Sequence, residues 1–530
     1  MFCLRHLLRA VVLLVGFTAT AVAGPYEDAL PKFSAGSYSE TDEAIGAVAS
    51  SGHPMAQAVI EALQDGRLLA GNGQVFIRDP SGGLVNAATG QAFGAAPADL
   101  KPVRVNNRVR RAIEAALGGL TLLSPNAGTR MEAARAVFRS RDEAALPNLD
   151  KAVGQEGDAG VKQALQEARA AILLTKADAS AEDRLSAVST LRARGDQDAL
   201  ALLSNLSADS PPALVAAAQQ AADAVRSRLE FWSAVQNVWY GISLGSVLLL
   251  AAIGLAITFG TMGVINMAHG EMVMLGAYTT FVVQELIRTY SPGLFGASLF
   301  IALPLAFLVA GAVGILIERS VIRFLYGRPL ETLLATWGLS LILQQGVRTI
   351  FGPTNREVGT PAWMSGAWEI GALSLTYNRI VIVVFAFSVF AVLLLVLRYT
   401  SLGLFVRAVT QNRRMAGSMG IRTSRIDALA FGLGSGVAGI AGVALSQIDN
   451  VSPNLGQGYI IDSFMVVVFG GVGNLWGTLV GAMTLGVANK LLEPYAGAVL
   501  GKIVLLIAII LFIQRRPRGL FALKGRAVEA

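Results

Sequence analysis

The chain has 530 residues, of which 53% are hydrophobic, and a formal net charge of +7. This composition is too apolar for an intrinsically disordered chain, and the length exceeds that of one ordinary domain. The excess of cations over acids lies in residues 231–530, beside apolar segments instead of on one soluble face, which argues against nucleic-acid binding. The only cysteine is Cys3, so a disulfide framework, a cysteine metal site and a thiol nucleophile are excluded for a mature chain without its first residues.

Residues 1–23 are typical of a secretory signal peptide. Arg5 and Arg9 accompany an apolar segment, Ala10–Phe17, and Ala21-Val22-Ala23 forms a small-residue cleavage motif. An uncleaved signal anchor is the alternative. Either version exports the segment that follows, so residues 24–230 should lie outside the cytoplasm.

Residues 24–230 have the composition of a soluble, mainly helical domain. Thr129–Leu174 and Ala181–Leu229 are alike, because each contains a helix, an Asp-containing turn, a short apolar helix and a longer helix. Asp42–Leu69 looks like a further copy. Helix-pair repeats of about 40–50 residues predict a HEAT-like solenoid, and a helical domain without true repeats is the alternative. Gln74–Phe93 departs from this pattern and predicts a small hairpin.

Residues 235–515 carry one long apolar segment after another and predict a membrane domain. About eight or nine crossings are expected for a hydrocarbon core of ~30 Å, because the seventh and eighth segments are short and glycine-rich. The predicted fold class is therefore all-α, a polytopic membrane helix bundle preceded by an exported, HEAT-like helical domain. Arg398–Arg425 holds six arginines and no acid, which places this loop and the tail, residues 516–530, in the cytoplasm.

The segment Asn266–Glu271 interrupts the first apolar region. His269 and Glu271 are two of very few ionisable groups at membrane depth, where such groups usually face a bundle interior or a water-filled path. They fit two roles equally well: lining a translocation path, or capping and bracing a helix turn near the cytoplasmic face. One histidine and one glutamate are too few ligands for a metal site.

The chain contains no P-loop motif. The nearest match, Gly497 to Lys502, has one residue too few and is followed by Ile503. Gly434–Gly439 matches the dinucleotide fingerprint, but it lies in a hydrophobic segment without a preceding strand, so close helix packing is the interpretation. No cofactor is expected in this chain, and any ATP that drives it is bound by another subunit.

The basic run Arg407–Ile421 predicts a short amphipathic helix on the membrane surface. Its small residues Ala416, Gly417 and Gly420 would let another protein approach closely. A solvated basic loop held to anionic lipid is the alternative, and the residue pattern alone favours it slightly.

Four motifs resemble those of permeases from the branched-chain amino acid type of ABC importer. In chain order they are Val264–Glu271, Met419-Gly420-Ile421 with Arg425–Phe431, Val466–Asn474 and Arg516–Phe521. The resemblance covers residues 235–522. The exported domain, together with Thr410–Ala416 and Ser446-Gln447-Ile448, is similar to the urea-importing branch of that family.

The resemblance implies a permease subunit of an ATP-driven importer for urea in the bacterial inner membrane. The implied partners are a homologous second permease, two cytoplasmic ATPase subunits and an exported substrate-binding protein. It makes a docking helix the favoured interpretation of the coupling loop, whose residues are Arg413, Arg414, Met415, Ala416, Gly417, Gly420 and Ile421. Candidates for the translocation path are Asn266, His269, Glu271 and Asn474.

One departure concerns the coupling loop. Many relatives carry an acid where this chain has Arg414-Met415-Ala416, so the resemblance does not fix the charge that the ATPase presents to this loop.

Other functions fit parts of the sequence. A branched-chain amino acid or short amide would use the same importer with a different cargo. An ATP-independent urea or amide channel would need no ATPase partner. A membrane enzyme lacks a nucleophile–base or metal constellation.

Overall fold

The computed structural model describes residues 25–521 except 72, 80, 81, 94–99, 177 and 207–209. The predicted signal, residues 1–23, and the end of the tail, residues 522–530, lie outside the described residues. The chain divides into two compact units, Met1–Glu230 and Phe231–Ala530. Helix predominates in the chain, as the predicted fold class requires, although the first unit also contains a sheet.

The first unit begins with helices and a small antiparallel sheet. The helices are α1 (Pro25–Ala29), α2 (Tyr38–Ser50) and α3 (Ala56–Gln64). The strands are β1 (Leu68–Gly71), β2 (Gln74–Arg78), β3 (Leu84–Asn86), β4 (Ala92–Phe93) and β5 (Lys101–Pro102), in the order β4-β3-β2-β1-β5. The hairpin predicted at Gln74–Phe93 is present as β2 and β3, which pair Ile77 with Val85.

The predicted third repeat at Asp42–Leu69 is wrong. This segment holds two helices and then enters β1 instead of a third helix. Leu68 and Leu69 form a short buried apolar run that follows Gly66, whose φ of 70° ends the preceding helix. A run this short gains more by pairing with β2 and β5 than by forming less than one helical turn.

The rest of the first unit is helical. It contains α4 (Asn107–Thr121), α5 (Ala127–Ser140), α6 (Leu146–Gln155), α7 (Ala159–Thr175), α8 (Ala181–Arg194), α9 (Gln197–Ser204) and the beginning of α10 (Pro212–Met262). In both predicted repeats an aspartate caps the turn after the first helix: Asp142 accepts from the Ala144 N–H and Asp196 from the Ala199 N–H. Helices α5 to α10 share one apolar core, whereas the buried residues of α4 belong to the core formed with α1–α3 and the sheet. The HEAT-like assignment stays a prediction.

The second unit is a helix bundle. After α10 it contains α11 (His269–Tyr290), α12 (Ser298–Ser320), α13 (Pro329–Phe351), the hairpin strands β6 (Ala367–Ile370) and β7 (Leu373–Thr376), α14 (Tyr377–Tyr399), α15 (Ser401–Gln411), α16 (Arg413–Ser418), α17 (Thr423–Leu445), α18 (Leu455–Gly470) and α19 (Leu475–Arg515). Among the described residues, five helical stretches are long and apolar enough to cross a membrane: Pro212–Met262, Pro292–Phe324, Tyr377–Tyr399, Thr423–Leu445 and Leu475–Arg515. The count of eight or nine crossings stays a prediction.

Helix α17 is buried along most of its length and packs against α11 and α12. The contact depends on glycine: a Cβ at Gly436 would come within 2.6 Å of the Phe307 ring, and one at Gly432 within 2.6 Å of Ile315 Cγ1. The glycine-rich segment of α17 is therefore a helix-packing motif, as predicted, because small residues let helix backbones approach closely in lipid.

Candidate functional site

A buried glutamate near the start of α11 is surrounded by neutral polar side chains from α13 and α18. Glu271 is 1% exposed, and its Oε1 accepts hydrogen bonds from Ser340 Oγ at 2.8 Å and Gln344 Nε2 at 2.7 Å. Gln457 Nε2 in turn donates to Gln344 Oε1 at 3.3 Å. Glu271 Oε2 has no hydrogen-bond partner among the described residues. We call Glu271, Ser340, Gln344 and Gln457 the polar cluster.

Helix α13 supplies the centre of this cluster because its polar residues recur at every fourth position. Residues four apart lie on one face of a helix. The inward residues Thr332, Thr336, Ser340 and Gln344 are at most 5% exposed, whereas Leu330, Leu334, Trp337 and Ile342 are more than half exposed. The helix therefore buries its polar face and exposes its apolar face. This arrangement is expected of a helix that contacts lipid outside and a polar interior inside.

Asn266 and His269 shape the turn before α11. Asn266 Oδ1 accepts a hydrogen bond from the Ala268 N–H at 3.0 Å, and the neighbouring Met267 N–H donates to Thr336 Oγ1 at 3.1 Å. His269 is buried, with its Nε2 2.9 Å from the Ala251 carbonyl oxygen. The structure thus places both residues as braces of the helix start, while Glu271, two residues further, lies in the polar cluster.

Asn474 lies at the start of α19 and does not join the polar cluster. Its Oδ1 accepts from the N–H groups of Trp476 at 3.0 Å and Gly477 at 3.1 Å, and its Nδ2 donates to the Phe521 carbonyl at 3.4 Å. It is a helix cap. It borders a different cavity of about 420 Å³, whose polar lining includes Arg398 and Arg407.

The arginine loop folds into two helices, α15 and α16, where the sequence predicted one amphipathic helix at Arg407–Ile421. The break is at Asn412, whose backbone is extended and whose Oδ1 caps α16 by accepting from the Met415 N–H at 2.9 Å. Asparagine at this position favours a new helix start because its side chain satisfies an otherwise free N–H. The single-helix prediction is therefore wrong.

One side of α16 is anchored and the other is exposed. Ala416 is buried in the apolar core of the bundle, and Ile421 packs against the same core. Met415 and Met419 are 59% and 76% exposed, and Arg414, Gly417 and Gly420 are exposed beside them. We call Arg414, Met415, Gly417, Met419 and Gly420 the coupling surface.

Arg413 ties this surface to the interior of the bundle. Its guanidinium pairs with both carboxylate oxygens of Asp427 on α17, including Nη1 to Oδ1 at 3.2 Å, and the Asp427 side chain is fully buried. The guanidinium also lies over the Tyr326 ring, 4.6 Å from its centroid. The Tyr326 hydroxyl donates to Glu318 Oε1 of α12 at 3.0 Å. A bidentate arginine–carboxylate pair fixes orientation as well as charge.

Several of these residues were missed from the sequence. Asp427 is the only acid between Arg398 and Ile448, and a lone acid at the start of an apolar helix calls for a cationic partner. The polar face of α13 could also have been predicted, because its polar residues recur at every fourth position. The contact of Gln457 with Gln344 had no comparable signal, because it joins residues 113 positions apart.

Comparison with known proteins identifies the second unit. Residues 237–513 match the family described as branched-chain amino acid transport system / permease component. The chain is 32% identical over 301 residues to the high-affinity branched-chain amino acid transport system permease protein LivH of Salmonella typhimurium, a match that covers 55% of this chain and 96% of that protein. It is 31% identical over 301 residues to LivH of Escherichia coli, with the same shares covered.

A further relative is the permease protein BraD of Pseudomonas aeruginosa, which is 30% identical over 298 residues, covering 55% of this chain and 96% of that protein. No solved structure matches the chain. The family match begins after the first unit. The chain therefore belongs, through its second unit, to the family of permease components of branched-chain amino acid transport systems.

Proposed function

We propose that the protein is the membrane permease subunit of an ATP-driven ABC importer whose cargo is urea. It forms the translocation path together with a homologous permease. Two cytoplasmic ATPase subunits supply the energy, and an exported binding protein delivers the cargo. The observation that supports this cargo is the polar cluster, which places hydroxyl, amide and carboxylate groups inside an apolar bundle.

Urea suits these groups because it is small, neutral and rich in hydrogen-bonding atoms. Its N–H groups need acceptors such as Glu271 Oε2, and its carbonyl needs a donor such as the amide of Gln457, which has two N–H groups and donates to Gln344 Oε1. None of the four side chains of the polar cluster is a cation that would receive the carboxylate of an amino acid.

The relatives' names favour a second cargo. LivH and BraD are named as branched-chain amino acid permeases, so leucine is the competing substrate. Uptake of labelled urea and labelled leucine by cells carrying the complete importer separates the two. We expect saturable urea uptake, leucine uptake at background, and loss of urea uptake when the ATPase subunits cannot hydrolyse ATP. Uptake of leucine alone would show that the cargo is a branched-chain amino acid instead of urea. Urea uptake that persists without the ATPases would show that the protein is a channel instead of an importer subunit.

The orientation is part of the proposal. The arginine loop and the C-terminal tail lie in the cytoplasm and the first unit in the periplasm, because cytoplasmic loops carry the excess of arginine and lysine. The coupling surface is then available to the ATPase subunits, and its exposed methionines offer adaptable apolar contact.

Substitution within the coupling surface tests this role. Met415→Glu is expected to lower urea uptake at least about tenfold while leaving the stability of the permease unchanged, because Met415 is exposed and supports no core contact. Trp368→Glu is the matched control, since Trp368 is a similarly exposed apolar residue on β6. Equal uptake by Met415→Glu and the wild type would contradict docking at this surface.

A further inference from the structure

We infer that the second unit holds a binding site for urea at the end of the bundle opposite the arginine loop; this inference rests on the proposed function for its cargo. The site is a cavity of about 310 Å³ lined by Glu357, Val358, Asn378, Arg379 and Ser446–Asn450. We call it the distal pocket. Its lining residues Ser446–Asn450 come directly after the last residue of α17. Asp427, which pairs with Arg413, lies near the other end of that helix, about 30 Å away at 1.5 Å per residue.

One of the two buried polar side chains of the distal pocket is an incompletely bonded amide. Gln447 is 7% exposed, its Nε2 donates to Ser446 Oγ at 3.3 Å, and its Oε1 has no hydrogen-bond partner among the described residues. Buried amide oxygens are nearly always bonded, because desolvation without a donor is unfavourable. Gln447 lines the cavity, and its buried carbonyl without a donor is suited to a ligand that brings its own N–H groups.

The loop that forms one wall is fixed on both sides of Glu357 and Val358. On one side, Arg356 and Val451 exchange two backbone hydrogen bonds of 2.8 and 3.1 Å. On the other, the buried side-chain amide of Gln284 donates to the Gly359 carbonyl at 2.8 Å and accepts from the Gly359 N–H at 2.9 Å. The wall is therefore in place before a ligand arrives, which lowers the entropy lost on binding.

The remaining lining supplies the complementary groups. The Arg379 guanidinium lies over the Tyr240 ring, 4.7 Å from its centroid, with Nη1 3.5 Å from Ser243 Oγ. It can donate to a urea carbonyl. Asp449 and Asn450 are exposed at the rim, where water screens the carboxylate. The buried contact is a neutral carbonyl and the acids lie at the solvent side, which suits the N–H groups of a neutral diamide better than a buried ammonium. Arg379 would also receive the carboxylate of an amino acid, so protection by leucine is the competing outcome of the test.

The test uses the complete importer in right-side-out vesicles and a Cys3→Ser background, which removes the only native cysteine. Asn450→Cys then places one thiol at the rim for a membrane-impermeant maleimide. Urea is expected to slow this labelling. Adding Gln447→Met, which keeps the size but removes both polar ends, should raise the urea concentration for half-protection about tenfold, as expected for one lost hydrogen bond.

Two further variants make the result specific. Glu369→Cys, on the exposed strand β6 outside the pocket lining, should label at a rate that urea leaves unchanged. Glu357→Ala changes an exposed rim residue, so it carries little folding risk and should raise the half-protection concentration about threefold.

The outcomes separate this inference from the proposed function. If urea uptake is intact but urea does not protect Asn450→Cys, or Gln447→Met shifts nothing, the distal pocket is overturned and the function stands. If urea protects in a Gln447-dependent way but is not taken up, the pocket stands and the proposed cargo fails. Protection by leucine instead of urea, or a thiol that cannot be labelled from outside, overturns the urea site.

Discussion

Two buried carboxylates in the second unit are held in opposite ways. Glu271 receives hydrogen bonds from the neutral side chains of Ser340 and Gln344 and keeps one oxygen without a partner among the described residues. Asp427 has both oxygens bound by the guanidinium of Arg413. A carboxylate with neutral partners and a free oxygen can receive a further donor there, whereas one in a bidentate ion pair already has a charged donor on each oxygen.

Under the proposed function, the difference separates two tasks within one bundle. The polar cluster would offer hydrogen-bonding groups inside the membrane unit to a passing solute. The Arg413–Asp427 pair instead joins the short helix α16 to the long helix α17, so a force applied at the coupling surface reaches the bundle. The first arrangement needs exchangeable partners and the second needs a permanent one.

The largest expected effect comes from removing the cation of the ion pair. Arg413→Gln leaves the fully buried Asp427 carboxylate without its charge partner and should lower the free energy of unfolding by about 3 kcal/mol. Asp427→Asn should cost only about 1 kcal/mol, since the Arg413 side chain is 40% exposed and can rehydrate. Reversible unfolding by SDS in mixed micelles measures both values.

The asymmetry between the two variants is the informative quantity. Equal losses of unfolding free energy in the two variants would mean that the pair stabilises the fold by contact only, and not by compensating the buried charge of Asp427. Arg422→Gln is the control, because Arg422 is an exposed arginine of the same loop and should change the unfolding free energy by no more than about 0.5 kcal/mol.

A second substitution tests the polar cluster. Glu271→Leu removes the acceptor of two buried hydrogen bonds and should destabilise the unit by about 2 kcal/mol, because Ser340 and Gln344 lose their partner. Glu271→Gln keeps an acceptor oxygen and the shape, so its cost should stay below about 1 kcal/mol. The same SDS titration measures both. Indistinguishable variants would show that Ser340 and Gln344 find other acceptors.

The sequence predicted the helices of the second unit better than the contacts between them. Apolar segments and glycine spacing are local patterns, and the packing role of Gly432 and Gly436 was read from them correctly. The Arg413–Asp427 pair spans 14 residues and two helices, and six arginines compete for that acid. Only the fold selects Arg413.

In the candidate site, too, single residues could be predicted from the sequence but their contacts could not. Glu271 was singled out as an acid at membrane depth, but its partner Ser340 lies 69 residues away and depends on how α11 and α13 pack. Asn474 was proposed for the path because amides suit urea, yet the residues after it, Leu475 and Trp476, begin a helix that its side chain caps. An asparagine directly before an apolar run is also a cap signal, and the role of Asn474 in the path stays a prediction.

A smaller effect is expected at the tyrosine beneath the ion pair. Tyr326→Phe keeps the ring under Arg413 but removes the hydroxyl that donates to the buried Glu318, and should cost about 1 kcal/mol in the SDS titration. Combining it with Arg413→Gln forms a double-mutant cycle. A coupling energy indistinguishable from zero would show that the hydroxyl contributes independently of the guanidinium.

The smallest expected effect concerns a third carboxylate, Glu156 of the first unit, which also forms a bidentate pair with an arginine. In the first unit Arg130 binds Glu156 through Nε–Oε2 at 2.6 Å and Nη2–Oε1 at 2.9 Å. The side-chain hydrogen bond from Arg130 lowers the pKa of Glu156 from 4.5 to about 2. Because the folded pKa lies below the unfolded one, the stabilisation is complete above pH 4.5 and is lost as the pH falls toward 2.

Hydrogen exchange of peptides from α5, α6 and α7 in the full-length protein measures this dependence. The wild type should lose protection in these helices progressively between pH 4.5 and about 2. Arg130→Gln should show lower protection already at pH 6 and a weaker dependence on pH across that interval, since its Glu156 titrates nearer the ordinary value. Identical profiles for the two proteins would mean that this pair adds nothing measurable to the stability of the first unit. Because it shares with the Arg413–Asp427 pair both its bidentate geometry and a carboxylate with little exposure, 3% for Glu156, that result would also lower the stabilisation expected of Arg413 and Asp427.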